Sequence, residues 1–288
     1  MTMQIVLRAK DGSVVLASDT LMRPLAAGST SDAEPSRRLA PARGLHNATK
    51  VIFSVNHDVA VAFSGTDERG NDPAKKLANH LSEQAEIPDD PSKVIHILEK
   101  WGNGFFQFRY PGEAYIGTVC TLLVVIPRSP RCCAYKLFVS NDSRVDIGYT
   151  YLIAGDDNNA AIFWPQYFKC HKEVFDLQAT TRIAACTILM AAEISFGVGG
   201  LELWQYENSW KAIDRKVVDA IVDDFKGFKE TLHAAIIDPA PALIVDKSEF
   251  DAALRKMIVS KPTTFREVVA KPKPKKGGGT KRSAKKSG

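Results

Sequence analysis

The sequence contains few of the features that mark membrane or secreted proteins. No apolar run approaches the roughly 20 residues that a membrane-spanning helix needs. The first residues lack the basic and then apolar pattern of a signal peptide. We therefore expect a cytoplasmic protein that has no membrane partner.

Cysteine and histidine are too scattered to predict a metal site. The five cysteines are an odd number and contain no CxxC motif, which favours reduced thiols over disulfides. The six histidines show no HExxH-like spacing, and no glycine-rich loop carries the Lys-Ser/Thr of a P-loop. We expect no metal and no cofactor.

Composition and charge divide the chain into a folded body and a basic tail. The 288 residues are 45% apolar and 25% charged, which is ordinary for a soluble globular protein. Eight Lys or Arg and no acid lie between Lys271 and Gly288; without them the net charge falls from +5 to −3. We predict one domain over residues 2–260 and a disordered tail over 261–288. Two roles for the tail stay open: charge-driven contact with nucleic acid or another polyanion, and simple solubilisation.

Thr2 is the first candidate for chemistry. Methionine is normally removed when a residue as small as threonine follows it, so removal of Met1 would leave Thr2 with a hydroxyl and a free α-amine. An amine beside a hydroxyl can act as its general base, which is one recognised way to activate a weak nucleophile.

The residues after Thr2 predict a β-hairpin. Two apolar runs, residues 3–9 and 13–18, flank the turn Lys10-Asp11-Gly12, and Asp-Gly between apolar runs is a strong hairpin signal. The hairpin returns the chain toward its start, so we expect Asp19 to lie near Thr2.

The remaining elements fall into segregated runs of strands and helices. The stretch 24–47 is predicted to be a long loop, and Asp72 and Asp90 are predicted to cap the first two helices. Strands are predicted at 50–55, 59–65, 115–126, 133–139, 145–153 and 201–206, and helices at 71–85, from 90 onward, at 158–170, 178–194 and 214–236. This order favours a layered α+β fold over alternating βαβ units.

Thr2, the hairpin residues 10–19, the segment Lys50-Val51-Ile52-Phe53 and residues 62–65 together resemble proteasome β-type subunits and their bacterial peptidase relatives. These proteins belong to the N-terminal-nucleophile (Ntn) hydrolase superfamily. The resemblance covers residues 2–240 apart from the predicted loop at 24–47, and it is clearest in the first 65 residues. It implies a four-layer αββα sandwich, hydrolysis of amide bonds in peptides or unfolded proteins, and assembly of copies into a ring or stack. Whether an ATPase partner exists is left open.

The resemblance also implies roles for individual residues. Thr2 matches the nucleophile, and Lys50 matches a lysine whose charge lowers the proton affinity of the nearby amine and hydroxyl. Asp19 matches an aspartate that pairs with that lysine. Gly65 matches the position whose backbone N–H stabilises the oxyanion.

This sequence departs from the family pattern at several positions. Asp156 stands where the family has a serine that hydrogen-bonds the threonine amine, and Ser195 and Val198 stand where it has an aspartate and a serine. One interpretation is that the residues supporting the Thr2 amine are lost and the protein is inactive. The other is that the roles are exchanged, so that Asp156 supplies the carboxylate and Ser195 the hydroxyl in the same space. Arg23 replaces a threonine of the substrate-binding strand.

Three functions therefore stay open. The first is a threonine-type peptidase that uses Thr2, and the second is an inactive assembly subunit whose basic tail binds a polyanion or partner. The third is an amidase that acts on a small molecule. The aromatic stretch from Trp101 to Phe108 is predicted to form helix core or a subunit contact.

Overall fold

The computed structural model describes residues 2–22, 46–47, 49–64, 70–112, 117–130, 133–155, 163–195 and 198–237. The strands are β1 (Met3–Arg8), β2 (Val14–Ser18), β3 (Leu21–Met22), β4 (His46–Asn47), β5 (Val51–Phe53), β6 (Ala60–Ser64), β7 (Cys120–Val125), β8 (Ala134–Val139), β9 (Arg144–Gly148), β10 (Tyr151–Gly155), β11 (Glu202–Tyr206) and β12 (Trp210–Ala212). The helices are α1 (Asp72–Ser82), α2 (Pro91–Arg109), α3 (Phe163–Tyr167), α4 (Leu177–Ile194) and α5 (Arg215–Ile237).

The first sheet carries the amino terminus. Its strands are antiparallel in the order β10-β1-β2-β11-β12. Because strand side chains alternate between faces, Met3, Ile5 and Leu7 point to one side, where they pack in one apolar cluster with residues of α3, α4 and α5. This cluster attaches one helical layer to the first sheet.

The second sheet has the antiparallel order β5-β6-β7-β8-β9. Its outer face packs on α1 and α2 through a second apolar cluster that includes Phe63, Leu77, Leu98 and Tyr135. A third cluster lies between the sheets and contains Val6, Val14 and Leu16 of the first and Ala62 and Leu123 of the second. Three clusters thus join four layers, which confirms the predicted αββα sandwich.

One predicted strand proved to be two. The apolar stretch 145–153 divides into β9 and β10, which belong to different sheets. Gly148 makes the change of direction possible, because a Cβ there would lie 2.3 Å from the backbone oxygen of Tyr151. The chain therefore crosses from the second sheet to the first at this point.

Several helix predictions need correction. Asp72 does not cap α1: the N-cap is Asn71, which has helical backbone angles, and α1 ends at Ser82. Asp90 does cap α2, through a 3.0 Å hydrogen bond that its Oδ1 accepts from the Ser92 N–H. Of the helix predicted at 158–170, residues 158–162 lie outside the described residues and α3 covers 163–167; the positive φ of 53° at Lys169 stops it from continuing to 170.

Some features had no sequence prediction, and some predictions fall outside the described residues. The pair β3–β4 and strand β12 were not predicted. Of the aromatic stretch from Trp101 to Phe108, Phe106 lies in the core, whereas Phe108 is 78% exposed.

No helix among the described residues is long and apolar enough to cross a membrane. The predicted basic tail, 261–288, lies outside the described residues.

Candidate active site

The β1–β2 hairpin brings Asp19 to the start of β1. The Asp19 N–H donates to the Met3 carbonyl at 3.0 Å, and the Met3 N–H donates to Asp19 Oδ1 at 2.9 Å. This reciprocal pair fixes the carboxyl group directly beside Thr2. Thr2 is 2% exposed and Asp19 is fully buried.

Lys50 reaches the same place from the second sheet. It immediately precedes β5, and its carbonyl accepts from the Phe63 N–H at 3.1 Å. Its Nζ lies 2.8 Å from Asp19 Oδ2 and 3.1 Å from Thr2 Oγ1, and the side chain is fully buried. Lys50 therefore joins a carboxylate to a hydroxyl in the interior between the sheets.

The two charged groups perturb each other and are perturbed by burial. Burial lowers the pKa of Lys50, against the attraction and hydrogen bond of Asp19. Burial also raises the pKa of Asp19, opposed first by Lys50 and then by the backbone N–H groups of Met3 and Gly199. A charged lysine beside a hydroxyl favours loss of the hydroxyl proton. Such a pair in the interior suits proton transfer at Thr2 Oγ1.

Two glycines allow the backbone to approach the site closely. Gly155, at the end of β10, has a φ of +104°, and a Cβ there would lie 1.8 Å from the Thr2 carbonyl oxygen. Gly199 follows α4, and its carbonyl accepts from the N–H groups of Thr20 and Leu21 at 2.9 and 3.0 Å. Gly155 at the end of β10 and Gly199 after α4 thereby lie directly against the backbone of Thr2 and of the residues that follow Asp19.

The structure describes only some of the other predicted site residues. Gly65, Asp156 and Arg23 lie outside the described residues, so their predicted roles stay predictions. Ser195 is buried at the end of α4, where its carbonyl accepts from the Val198 N–H at 3.1 Å. This turn leads directly to Gly199. Val198 itself is buried among the apolar residues between the first sheet and its helices.

Within the described ranges, no group of three or more His, Cys, Asp or Glu is arranged to hold a metal ion. The chemistry that the described residues offer is that of a hydroxyl nucleophile beside a buried lysine and aspartate. The sequence identified these three residues. It did not identify Met3 and Gly199, which contribute backbone groups, or Gly155, whose signal is a glycine at the end of a predicted strand.

Comparisons with known proteins identify relatives by structure alone. No protein-family model matches the sequence, and no curated protein matches it. Anbu (ancestral beta-subunit) from Yersinia bercovieri aligns with 84% of this chain and 99% of its own, at a TM-score of 0.56 and 13% identity. Anbu from Hyphomicrobium sp. strain MC1 aligns with 85% of this chain and 100% of its own, at a TM-score of 0.52 and 11% identity. At such identities the likeness shows the fold alone, a four-layer αββα sandwich.

Proposed function

We propose that this protein is a threonine hydrolase that cleaves amide bonds in peptides or unfolded proteins with Thr2, after removal of Met1. One observation carries the proposal: Lys50 Nζ contacts both Asp19 and Thr2 Oγ1 in the buried space between the sheets. A buried ion pair is costly to maintain, and here its lysine points at a hydroxyl that would carry the reaction.

The proposed reaction proceeds in two steps. Thr2 Oγ1 forms a bond to the substrate carbonyl carbon while its proton passes to the free α-amine of Thr2. The C–N bond then breaks, the leaving amine takes that proton, and an ester remains on Thr2. Water hydrolyses the ester in the second step. Lys50 lowers the proton affinity of Oγ1 and stabilises the negative charge that develops on it.

Three further residues belong to the proposal on the resemblance. The Gly65 N–H would donate to the oxyanion. Asp156 would accept from the Thr2 amine, and Ser195 would supply a hydroxyl that helps to hold the same amine. Asp156 follows Gly155, which packs against the Thr2 backbone, and this proximity in the chain supports its role. If Asp156→Ala left peptide hydrolysis unchanged, that role would be wrong.

A probe that forms a ring with an N-terminal threonine, followed by intact mass and peptide mapping, tests the mechanism. We expect Met1 to be absent and the probe to modify Thr2 alone. Thr2→Ser loses the methyl group but keeps the hydroxyl and should still be labelled, whereas Thr2→Ala loses the hydroxyl as well and should not be. A retained Met1, or labelling at another residue, would contradict the mechanism.

Substrate assays separate the peptidase from the small-molecule amidase. Incubation with a mixture of unstructured peptides should yield cleaved products from the wild type and none from Thr2→Ala. If the probe modifies Thr2 but no peptide is cleaved, while a small amide is hydrolysed, the amidase alternative is correct.

A second candidate function is a non-catalytic assembly subunit. The observation that favours it is Val198, which is apolar and buried where the resemblance places a serine of the active site. Absence of probe labelling in a chain that has lost Met1 would support this candidate. The predicted contact of its basic tail with a polyanion would then be tested by binding of duplex DNA with and without residues 261–288.

We infer that copies of the chain assemble, because the fold is that of subunits and α2 exposes aromatic side chains. Trp101 and Phe105 stack at 5.2 Å beside the exposed Phe108. Phe108→Asp should lower the mass measured by sedimentation velocity, while Val174→Asp, a change at another exposed apolar residue, should not. A monomeric wild type would contradict the inference.

The cytoplasmic location of the protein stays a prediction.

A further inference from the structure

A row of polar residues crosses the inner face of the first sheet beside the candidate site. In the strand register, Gln4 of β1 pairs with Ser18 of β2, and Ser18 pairs with Glu202 of β11. In the middle of these strands, inward-facing residues such as Val6 and Leu16 are apolar and belong to the cluster between the sheets. Glu202 is half-buried and its neighbour Thr49 is exposed; even partial burial of a charge is unfavourable unless something satisfies it.

Among the described residues, Oε1 of the Glu202 carboxylate has a hydrogen-bond partner, whereas Oε2 is buried without one. Its Oε1 accepts a hydrogen bond of 3.2 Å from the Thr49 hydroxyl. Burial raises the pKa of Glu202, and the Thr49 hydroxyl opposes that rise most strongly, followed by the side chain of Trp204 and the backbone N–H of Lys50. Glu202 thus interacts with the two residues that lead into β5.

This segment is also attached to the first sheet by its side chains: Lys50 Nζ binds Asp19, and the Phe53 ring packs on Trp204 with the ring centroids 4.7 Å apart. Strand β5 has three residues and lies at the edge of its sheet, where β6 is its pairing partner. On the β6 side, the Lys50 carbonyl is held by the Phe63 N–H. On the other side, among the described residues, no strand pairs with β5. From the first sheet, which also carries Thr2 and Asp19, Glu202 therefore holds the start of the segment, and Trp204 packs on Phe53 at its end.

We propose that Glu202 is a positioning residue that holds Thr49 and the Lys50 backbone against β11, so that Lys50 Nζ stays between Asp19 and Thr2. Glu202 acts through Lys50 and touches no reacting atom. The effect on reaction rate rests on the proposed function, whereas the effect on the segment 49–53 does not. A displacement of about 1 Å at a catalytic group can lower a rate by about a hundredfold.

Three variants test the proposal. Glu202→Leu removes the acceptor, and Glu202→Gln keeps an acceptor for Thr49 but removes the charge. Glu207→Leu is the matched control, because Glu207 is exposed just after β11 and its carboxylate accepts a hydrogen bond from Gln205 of the same strand. Circular dichroism would establish that each variant is folded.

Hydrogen–deuterium exchange gives the readout that does not depend on activity. We expect faster exchange in the peptide spanning 49–53 of Glu202→Leu, with Glu202→Gln and Glu207→Leu close to the wild type. Unchanged exchange in Glu202→Leu would overturn the proposal whether or not the protein is an enzyme. Equal acceleration in Glu202→Gln would also overturn it, because charge rather than the hydrogen bond would then hold the segment.

Probe labelling of Thr2 gives the second readout. In Glu202→Leu we expect a rate about tenfold to a hundredfold lower and a pH profile shifted to higher pH, since a displaced Lys50 no longer lowers the proton affinity of Thr2. Glu202→Gln should restore most of the rate. If the wild type is not labelled at all, the proposed function is wrong, and the exchange experiment alone then decides the role of Glu202.

Discussion

At the scale of single residues, Gly155 makes the tightest backbone approach to the candidate nucleophile. Gly155→Ala would add a Cβ 1.8 Å from the Thr2 carbonyl oxygen at a φ of +104°. Gly112→Ala is the matched control, since Gly112 has a φ of +79° and a Cβ added there would have nothing within 4 Å. Both variants carry backbone strain of about 1 kcal/mol, and Gly155→Ala carries about 2 kcal/mol more for displacing Thr2.

Urea unfolding would measure this difference, and probe labelling would measure its effect at Thr2. We expect Gly155→Ala to lose both stability and labelling, and Gly112→Ala to lose only a little stability. Equal losses of stability in the two variants would mean that the contact with Thr2 costs nothing, which would contradict the packing seen at Gly155.

The buried pair of Asp19 and Lys50 makes a second prediction at this scale. Lys50→Met leaves the Asp19 carboxylate buried without its partner, which should lower the free energy of unfolding by about 3–5 kcal/mol. Addition of Asp19→Asn removes the stranded charge, so the double variant should lose less than the sum of the single losses. Urea unfolding of all four proteins measures the coupling. Additive losses would show that the two groups do not interact.

The pH dependence of the Lys50→Met variant follows from the same burial. Without Lys50, burial still raises the pKa of Asp19 above 3.8 in the folded protein. The folded state then binds a proton more readily than the unfolded chain, so stability rises as pH falls through the folded pKa toward 3.8. Urea unfolding of this variant across acidic pH should show that rise, and a steady fall would contradict it.

At the scale of elements, the first two helices begin in different ways. Asp90 accepts a hydrogen bond from the Ser92 N–H and caps α2, whereas Asp72 lies inside α1 and forms a half-exposed ion pair with Lys76 at 3.0 Å. Asp90→Ala should therefore cost about 1 kcal/mol, and Asp72→Ala about 0.5 kcal/mol or less. Thermal unfolding of both variants tests this. A larger loss for Asp72→Ala would mean that Asp72 is the cap after all.

Elements whose signals are local could be predicted from the sequence. The β1–β2 hairpin follows from Asp11-Gly12 between apolar runs, and its return places Asp19 beside Met3 as expected. The split between β9 and β10 could not be predicted, because apolar residues continue through it. It depends on β9 pairing with β8 and β10 with β1, which are tertiary contacts.

The residues of the candidate site likewise divide into those that the sequence predicts and those that depend on tertiary contacts. Thr2, Asp19 and Lys50 could be proposed because they stand at the ends of predictable strands and match a family pattern. Glu202 is 153 residues from Thr49, and no local pattern connects the two. Its one signal is a charge at an inward position of β11, on the same face as Trp204 and Tyr206.

At the scale of the whole molecule, β11 connects the two sheets at both of its ends. Glu202 accepts from Thr49 at the end near the candidate site. At the opposite end, the Tyr206 hydroxyl donates to Asp58 Oδ2 at 3.2 Å and accepts from Arg128 Nε at 2.8 Å. Since polar contacts fix orientation more specifically than apolar packing does, these two ends hold the sheets in the alignment that keeps Lys50 on Thr2.

Burial of thiols across the layers predicts how the whole molecule responds to alkaline pH. Burial raises the pKa of Cys120, Cys170 and Cys186 from 9.0 to about 12. Between these values the unfolded chain releases protons that the folded protein keeps, so the free energy of unfolding falls as pH rises, by about 1.4 kcal/mol per pH unit for each thiol. Urea unfolding with a reductant above about pH 9 measures that slope. Cys186→Ala should make the slope shallower by the contribution of one thiol, about 1.4 kcal/mol per pH unit, whatever the substitution does to stability at neutral pH. An unchanged slope would show that the Cys186 thiol already ionises in the folded protein.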